Sequence, residues 1–203
     1  MTVQPQPFRF GAVVLAAGAS TRMGEPKQLL RLGGRTLLRR TIDTAFASSA
    51  WPVVVVLGAN ADLIRPEVVR LPVLVVDNPE WQEGLAASIR AGMRVVDSFS
   101  LSLQAALLLL CDQPNLSPAI INQITDTHRR TGKSIVAAMY DHRPGSPALF
   151  ARRHFHELTE LQGPSGAKPL FARHADSLAT VPLPELAADI DTPEDFAAAQ
   201  QSL

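Results

Sequence analysis

Residues 12–27 read AVVLAAGASTRMGEPK, a short aliphatic run followed by a loop of small and basic residues. The run over residues 12–17 is continuous rather than alternating, which is typical of a strand buried on both faces of a sheet. Similar runs follow at residues 53–57, 73–76, 105–110 and 135–138. The chain is therefore predicted to build a sheet that helices cover on both sides.

Amphipathic segments separate these runs and predict helices at about residues 34–48, 60–67, 84–97, 117–131 and 151–161. Asn60 and Ser117 are predicted N-caps, because short polar side chains accept hydrogen bonds from the first turn of a helix. Strands that alternate with helices predict a mostly parallel sheet. The expected fold class is α/β, as a single-domain, three-layer α/β/α structure with a Rossmann-like sheet.

One domain is expected over residues 1–203, since a chain of this length can bury one good core. Residues 1–7 precede the first strand and are expected to be disordered. From residue 140 to residue 184 the pattern loosens, and the segment 140–184 is expected to be an insertion over the face where ligands bind. His154 and His156, which lie within it, are expected on the surface.

The composition excludes several functional classes. The 19 basic and 19 acidic residues give a formal net charge of zero, whereas a dedicated nucleic-acid binder usually carries a basic excess. A single cysteine, Cys111, excludes an internal disulfide and a cysteine-cluster metal site. No apolar run approaches the roughly 18 residues that span a bilayer. We therefore expect a cytoplasmic protein that binds neither nucleic acid nor membranes.

The loop after the first strand has the composition of a phosphate-binding site. Ligands of parallel α/β sheets bind beyond the carboxyl ends of the strands, where this loop begins. Its small residues leave backbone N–H groups free to bind anions, and Arg22 and Lys27 add two cations. The glycine spacing excludes both a dinucleotide fingerprint and a P-loop. The alternative is a flexible turn with solvated basic residues.

Three aspartates are candidate ligands of a divalent cation. Asp112 follows the most apolar strand at its carboxyl end, and Asp189 and Asp191 lie in a short C-terminal segment. Mg²⁺ prefers carboxylate oxygens and is usually held by one or two of them together with substrate phosphates. A lone Asp112 would equally well cap a turn. Cys111 beside it is expected to be buried and unreactive, with a thiolate metal ligand as the alternative.

The segment from Leu15 to Lys27 has the form L-A-A-G-x-S-x-R-M-G-x-x-K, which resembles the signature of the MobA-like nucleotidyltransferases. Within that family it looks most like the molybdenum cofactor cytidylyltransferases. Further segments that resemble the family recur in the expected order over about residues 10–200: Asn78-Pro79 with Gly84, Cys111-Asp112-Gln113-Pro114, Ser146-Pro147 through Phe150, and Asp189 through Asp195.

The resemblance implies roles for individual residues. Those that would act in catalysis are Arg22, Lys27 and Asp112. Those that would hold Mg²⁺ are Asp112, Asp191 and Asp189. The nucleotide would be bound by Leu15, Ala16, Ala17, Gly18, Ala19, Ser20, Thr21, Arg22, Gly24, Lys27, Asn78, Pro79, Gly84, Ser88 and Asp112. The segment 140–184 would lie on the acceptor side, and the residues that would bind the acceptor are Gln113, Ser146, Pro147, Gly166 and Lys168.

The resemblance also bears on the two substrates. Guanylyl-transferring relatives tend to carry glycine in place of Ala17, so the extra methyl group would narrow the base pocket and favour the pyrimidine of CTP. On the acceptor side the chain departs from the family pattern. Ser146, Pro164 and Lys168 stand where His, an acidic residue and Arg are common, and Lys does not reproduce the bidentate contacts of Arg.

The predicted function is Mg²⁺-dependent transfer of a nucleoside monophosphate, CMP from CTP, onto a phosphate monoester acceptor with release of pyrophosphate. Molybdopterin cofactor is the expected acceptor, and a molybdenum enzyme is the expected client. Three alternatives stand beside it. They are a sugar-1-phosphate nucleotidyltransferase, a non-catalytic nucleotide-binding factor that assists the maturation of a molybdenum enzyme, and a nicotinamide-dependent oxidoreductase of similar fold.

Overall fold

The computed structural model describes residues 8–201 and shows a seven-stranded sheet between two layers of helices. Its strands, in their order across the sheet, are β5 (Leu74–Asp77), β4 (Val53–Leu57), β1 (Phe10–Ala16), β6 (Ala105–Leu110), β8 (Arg143–Ala151), β7 (Ile135–Tyr140) and β9 (Leu178–Pro182). All except β8 run parallel to β1. The predicted single-domain α/β fold is confirmed, while the expectation of disorder for residues 1–7 lies outside the described residues.

The helices connect the strands along both faces of the sheet. Within residues 8–201 they are α1 (Leu37–Ala47), α2 (Ala61–Val68), α3 (Leu85–Phe99), α4 (Pro118–Thr131), α5 (Phe155–Thr159), α6 (Lys168–Arg173) and α7 (Pro193–Gln201). A short hairpin of β2 (Arg31–Leu32) and β3 (Arg35–Thr36) precedes α1. In this part of the chain, none of the helices has the length and apolar character that crossing a membrane requires.

Burial on both faces of the sheet explains the continuous apolar runs of β1, β4 and β6. The run at residues 73–76 differs, because β5 lies at the edge of the sheet and is only partly buried, so the burial predicted for it is wrong. Every residue of β1 is buried. Ala12 and Val14 belong to the core that lies under α1, α2 and α4, whereas Val13 and Leu15 belong to the core under α3, α5 and α6. Each of the Val and Leu side chains contributes about 1.5–3 kcal/mol when it is fully removed from water. A polar residue in this strand would therefore be costly at every position.

Side-chain caps begin α1, α4 and α7, and in α7 the hydroxyl oxygen of Thr192 accepts a hydrogen bond from the N–H of Asp195 at 3.3 Å. The hydroxyl oxygen of Thr36 accepts a hydrogen bond from the N–H of Arg39 at 3.2 Å and starts α1. Ser117 starts α4 as predicted, because its hydroxyl oxygen accepts from the N–H of Ile120 at 3.4 Å. Asn60 stands at the N-cap position of α2, but its backbone is left-handed and its side chain makes no capping hydrogen bond. The prediction that the side chain of Asn60 caps α2 is therefore wrong.

The segment 140–184 contributes more to the sheet than expected. β8 and β9 both belong to the central sheet, and β8 lies between β6 and β7. Pro144, Gly145 and Pro147 interrupt the apolar pattern of β8, so its composition gives a weak strand signal. The intervening residues 152–177 lie outside the sheet, where α5 and α6 pack on the same side as α3.

The two histidines expected on the surface differ from one another. His156 is exposed on α5. His154 is only 3% exposed, so the expectation is wrong for this residue. Its ring turns inward because both nitrogens have partners there, the hydroxyl oxygen of Ser134 at 2.8 Å and a carboxylate oxygen of Glu157 at 2.9 Å.

Two neighbouring strands position the candidate site. β1 and β6 are adjacent and parallel, so the loops that follow them leave the same edge of the sheet. β4, the next strand of the sheet along the chain, lies on the opposite side of β1 from β6. A crevice therefore opens between the loop after β1 and the loop after β6, and ligands of such sheets typically bind in this kind of crevice. After β9 the chain returns to this edge, where the N–H of Ile190 donates to the carbonyl oxygen of Asp112 at 2.9 Å. Asp189 and Asp191 are thereby held beside Asp112.

We predict that Gly92→Ala destabilises the protein by about 1–3 kcal/mol, because it overfills the contact between α3 and the sheet. A Cβ atom on Gly92 would overlap the side chain of Val13 and would lie 2.9 Å from Cγ2 of Val56. Chemical denaturation measures the change in the free energy of unfolding. Arg94→Ala, at an exposed position of the same helix, is the control and should change it by less than about 0.5 kcal/mol. A Gly92→Ala protein as stable as wild type would contradict this packing.

Candidate active site

A cavity of about 310 Å³ opens at the carboxyl ends of β1 and β6. The loop after β1 forms one wall, the segment around Trp81 and the start of α3 form a second, and the end of β6 forms its floor. The lining residues are Leu15, Ala17, Gly18, Ala19, Lys27, Gln28, Trp81, Gln82, Gly84, Leu85, Ser88, Leu110, Cys111 and Asp112. The cavity therefore combines small residues, one cation and one carboxylate in a single crevice.

Lys27 lies between two carboxylates at the edge of this cavity. Its Nζ atom is 2.5 Å from Oδ2 of Asp112 and 2.9 Å from Oδ1 of Asp191. Arg22 approaches the other oxygen of Asp191, with a distance of 2.8 Å between its guanidinium and Oδ2. Lys27 and Asp112 are largely buried, whereas Arg22 is exposed. These contacts join the loop after β1, the end of β6 and the C-terminal segment.

The charges of this group stabilise one another. Burial lowers the pKa of the Lys27 ammonium, but the charges and hydrogen bonds of Asp112 and Asp191 outweigh burial and raise it above its usual value. Burial raises the pKa of Asp191, and the contacts with Lys27 and Arg22 outweigh that effect and lower it. Asp189 differs, because burial and the neighbouring charges of Asp112 and Asp191 raise the pKa of its carboxyl to about 7.

Two carboxylate oxygens in the group have no hydrogen-bond partner. They are Oδ1 of Asp112 and Oδ1 of Asp189, and both are buried. An unsatisfied buried polar atom costs about 1–3 kcal/mol, and more if it carries charge, so such atoms call for a further partner. A hard divalent cation such as Mg²⁺ takes carboxylate oxygens as ligands. The unpartnered oxygens of Asp112 and Asp189 are therefore candidate ligands of such a cation.

Gln28 shapes the loop after β1 from beneath. It is 1% exposed, and its Nε2 donates to the carbonyl oxygens of Ala16 and Gly18 at 3.0 and 2.9 Å. Ser20 takes a left-handed backbone conformation, and its hydroxyl oxygen accepts from the N–H of Lys27 at 3.1 Å. The loop is thus fixed by its own side chains before any ligand is present.

Ala17 and Trp81 form a tight wall against Gly58. A Cβ atom on Gly58 would lie 2.7 Å from Cβ of Trp81 and 2.8 Å from Cβ of Ala17, closer than real contacts allow. The N–H of Ala59 also donates to the carbonyl oxygen of Ala17 at 3.0 Å. The wall has little room to move, so a side-chain change at Ala17 would alter the shape of the cavity directly.

A second cavity, of about 250 Å³, adjoins the first and shares Leu15, Leu85 and Leu110 with it. Its other lining residues are Ile89, Leu108, Tyr140, Gly145, Ser146, Ala148, Ser165, Ala167, Lys168, Phe171 and Asp189. Asp112 lines the first cavity and Asp189 the second. The carboxylate group therefore stands at the boundary between two spaces that could hold two substrates.

The sequence of the chain matches a known family. A family model for the MobA-like NTP transferase domain matches residues 12–178. The chain belongs to this family. The matched range contains the loop after β1, the segment around Trp81, the end of β6 and every lining residue of the second cavity except Asp189.

Similar proteins of known sequence carry different names. A nicotine blue oxidoreductase from Paenarthrobacter nicotinovorans is 36% identical over 143 residues, which are 70% of this chain and 67% of that protein. A probable molybdenum cofactor guanylyltransferase from Nostoc is 27% identical over 203 residues, covering 93% and 89%. The chain spans only 30% of a bifunctional protein GlmU from Sorangium cellulosum, at 34% identity over 68% of its own length.

Solved structures agree with the fold. The crystal structure of Rv0371c from Mycobacterium tuberculosis superposes with a TM-score of 0.81 at 30% identity, covering 96% of this chain and 98% of that one. Rv0371c has also been solved as a complex with manganese, with a TM-score of 0.77 over 96% of this chain and 100% of that one.

The residues of this MobA-like chain that were predicted to bind nucleotide fall into two groups. Those that line the first cavity are Leu15, Ala17, Gly18, Ala19, Lys27, Gly84, Ser88 and Asp112. Those that do not are Ala16, Ser20, Thr21, Arg22, Gly24, Asn78 and Pro79. Asn78 is buried and donates from Nδ2 to the hydroxyl oxygen of Ser88 at 3.1 Å. It therefore positions a lining residue rather than facing the cavity.

The predicted acceptor residues also divide. Ser146 and Lys168 line the second cavity, whereas Gln113, Pro147 and Gly166 do not. Gln113 is buried and donates to the carbonyl oxygen of Ser146 at 3.1 Å. Gly166 packs on Leu85, where an added Cβ atom would lie 2.7 Å from Cδ2. These two residues hold the walls of the cavity in place.

Cys111 is buried at the end of β6, as expected. Burial, reinforced by the charge of Asp112, raises the pKa of its thiol to about 12. The thiol is therefore protonated at neutral pH, as expected of a buried and unreactive cysteine.

Sequence reasoning missed several lining residues. Gln28, Tyr140 and Phe171 belong to none of the quoted motifs, and their roles depend on long-range packing. The one available signal for Gln28 was its position directly after Lys27, in a loop whose backbone needs an internal hydrogen-bond donor.

We predict that Gln28→Met lowers the free energy of unfolding by about 1–3 kcal/mol, because the buried carbonyl oxygen of Ala16 and the partly buried carbonyl oxygen of Gly18 lose their donor. The loop should also hold nucleotide less well, so the Kd for CTP should rise. Gln123→Met is the control, since Gln123 is exposed on α4. Denaturation and nucleotide titration measure the two effects. If Gln28→Met matches the control in both, Gln28 does not organise the loop.

Proposed function

We propose that the protein is a Mg²⁺-dependent nucleotidyltransferase that moves CMP from CTP onto a phosphate monoester, with molybdopterin cofactor as the acceptor. The observation that carries this proposal is the position of Lys27 with Asp112, Asp189 and Asp191, at the boundary between two adjoining cavities. A triphosphate in the first cavity and a phosphate monoester in the second would meet at these charges.

The reaction is a displacement at phosphorus. A phosphate oxygen of the acceptor attacks the α-phosphorus of CTP, a new P–O bond forms, and the bond to the β-phosphate oxygen breaks to release pyrophosphate. When bound by Asp112, Asp189 and Asp191, Mg²⁺ would offset the charge that gathers on the phosphates. Catalysis then depends on positioning and on charge, because no covalent nucleophile is needed.

Each charged residue has a task in this scheme. The backbone amides of the loop after β1 and the guanidinium of Arg22 bind the triphosphate. Lys27 exchanges its carboxylate partners for oxygens of the α-phosphate, where it offsets negative charge during the displacement. Because Gln28 and Ser20 fix the loop beforehand, little conformational entropy is lost when the nucleotide binds.

The choice of CTP is supported by the wall that Ala17 and Trp81 build against Gly58. This wall cannot retreat, so the methyl group of Ala17 limits the space for a purine. The acceptor class is supported by the apolar walls of the second cavity, including Tyr140 and Phe171, with Lys168 at its edge to bind a phosphate. A molybdenum enzyme would be the client of such a product.

We predict that Lys27→Ala lowers the rate of pyrophosphate release by about 10²–10³-fold, the usual worth of one such electrostatic contact. Asp112→Asn should abolish turnover because it removes a ligand charge at the reacting phosphate. The matched controls are Arg31→Ala and Asp126→Asn, whose side chains are exposed outside the cavities. Both controls should keep the wild-type rate.

The assay mixes each variant with CTP, Mg²⁺ and molybdopterin cofactor. Turnover of Asp112→Asn at the wild-type rate would remove Asp112 from the reaction. Equal rates for Lys27→Ala and Arg31→Ala would show that the cation between the carboxylates has no role in catalysis.

We predict that Ala17→Gly lowers the preference for CTP over GTP by about tenfold, since one methyl group is worth roughly that much discrimination in a pocket. The measurement is the ratio of kcat/KM for the two nucleotides. Ala19→Gly, on the same loop and in the same cavity, is the control and should leave the ratio unchanged. A wild-type preference for GTP would contradict the assignment of the base.

The acceptor is tested by crossing four nucleoside triphosphates with molybdopterin cofactor and with sugar 1-phosphates. Release of pyrophosphate with a sugar 1-phosphate, but not with molybdopterin cofactor, would favour a sugar-1-phosphate nucleotidyltransferase. Nucleotide binding without pyrophosphate release, with every acceptor, would favour a non-catalytic maturation factor.

An oxidoreductase is a second candidate, favoured by the 36% identity to a nicotine blue oxidoreductase. The loop after β1 lacks the dinucleotide fingerprint, which counts against it. Titration with NADH and NADPH, followed by fluorescence, separates the two candidates. Tight binding of either nucleotide together with no pyrophosphate release would favour the oxidoreductase.

A further inference from the structure

A second group of charged side chains lies outside both cavities, between α5 and α6. It consists of Glu157 on α5, His154 in the turn that precedes α5, and His174 directly after α6. One ligand atom from each of the three lies within 4.8 Å of the other two. The proposed nucleotidyl transfer makes no use of this group.

The carboxylate of Glu157 is the centre of the group. Its Oε1 is 2.9 Å from Nδ1 of His154 and 2.9 Å from Nε2 of His174. Its Oε2 is also 2.9 Å from Nε2 of His174 and accepts from the guanidinium of Arg173 at 3.2 Å. The carboxylate of Glu157 therefore joins both imidazole rings and Arg173 in one hydrogen-bonded group.

The imidazole of His154 is fixed in orientation. Its Nε2 is 2.8 Å from the hydroxyl oxygen of Ser134, and the ring is almost fully buried. A histidine that binds a metal through one nitrogen usually has its other nitrogen hydrogen-bonded in this way, which fixes the ring and its tautomer. The rings of His154 and His174 lie with their centroids 4.6 Å apart and inclined by 62°.

We infer that His154 Nδ1, Glu157 Oε1 and His174 Nε2 form a site for a zinc ion. Two imidazole nitrogens and one carboxylate oxygen are a common zinc donor set, and a water molecule would complete a tetrahedron. Zinc would replace the protons that the three groups now share, while Oε2 of Glu157 keeps its contact with Arg173. Mg²⁺ is disfavoured, because it prefers oxygen ligands in an octahedron.

The position of the site suggests its consequence. α6 begins at Lys168 and also carries Phe171, and both residues line the second cavity. His174 follows the last turn of α6, so a zinc ion there would tie the end of this helix to α5 and to the turn between β8 and α5. The site would therefore stabilise the outer wall of the second cavity without contacting either substrate.

The test uses Co²⁺ as a spectroscopic probe in the full-length protein, with excess Mg²⁺ to occupy oxygen-ligand sites. Tetrahedral Co²⁺ with nitrogen donors absorbs strongly in the visible range, and octahedral Co²⁺ absorbs weakly. We expect one strongly absorbing Co²⁺ per chain, displaced by an equimolar amount of Zn²⁺. His174→Gln and Glu157→Gln should each lose this absorption, whereas His156→Gln, whose side chain is exposed on the same short helix, should keep it.

Thermal unfolding gives a second readout. Zn²⁺ should raise the Tm of the wild type and of His156→Gln, because a ligand that binds only the folded state stabilises it. It should not raise the Tm of a folded His174→Gln or Glu157→Gln protein. Absence of the strong absorption in the wild type, or equal absorption in His174→Gln, would show that the three residues are only a hydrogen-bonded support.

Discussion

Lys27 links parts of the chain that are far apart in sequence. Its ammonium group bonds to Asp112, 85 residues away, and to Asp191, 164 residues away. A buried cation needs such partners, and buried carboxylates need a cation, because either charge left alone in a partly buried crevice is costly. The contact therefore constrains three elements at once: the loop after β1, the end of β6 and the segment that follows β9.

The sheet provides the geometry that this contact requires. β1 and β6 must be neighbours and parallel for their loops to meet, and the chain must return after β9 to bring Asp191 to the same edge. Gly84 and Gly166 lie at close contacts between the walls of the two cavities. A Cβ atom on Gly84 would lie 2.7 Å from Cα of Pro164, and both glycines have positive φ angles. These two close contacts pack the segment 163–166 against the start of α3, which lines both cavities.

Much of the fold and part of the site could be predicted from the sequence. Runs such as residues 53–57 and 105–110 are apolar at every position, and only a strand buried on both faces explains them. Short polar motifs likewise identify Lys27, Asp112 and Asp191. β8 was not predicted as a strand, because two prolines and a glycine interrupt its apolar pattern. The role of Gln28 was not predicted either, because it depends on carbonyl groups that face this side chain only in the folded loop.

The burial of His154 is a further feature that its local sequence does not predict. A histidine among arginines beside a helix of one turn has the composition of a surface residue. Its burial depends on Ser134, 20 residues earlier, and on Glu157. Glu157 also makes a hydrogen bond with His174, which directly follows α6. Local sequence does not encode such a convergence, since it arises only when α5 and α6 pack on the same side of the sheet.

We propose that Lys27 occupies the place between Asp112 and Asp191 until nucleotide and metal take over those charges. The most direct measurement is a crystal structure with Mn²⁺ and a non-hydrolysable CTP analogue, read by the anomalous scattering of manganese. We expect a manganese peak bonded to Asp112 and Asp191, with Nζ of Lys27 moved onto a phosphate oxygen. A nucleotide bound in the first cavity while Lys27 still bridges both carboxylates, with no manganese beside them, would contradict the claim.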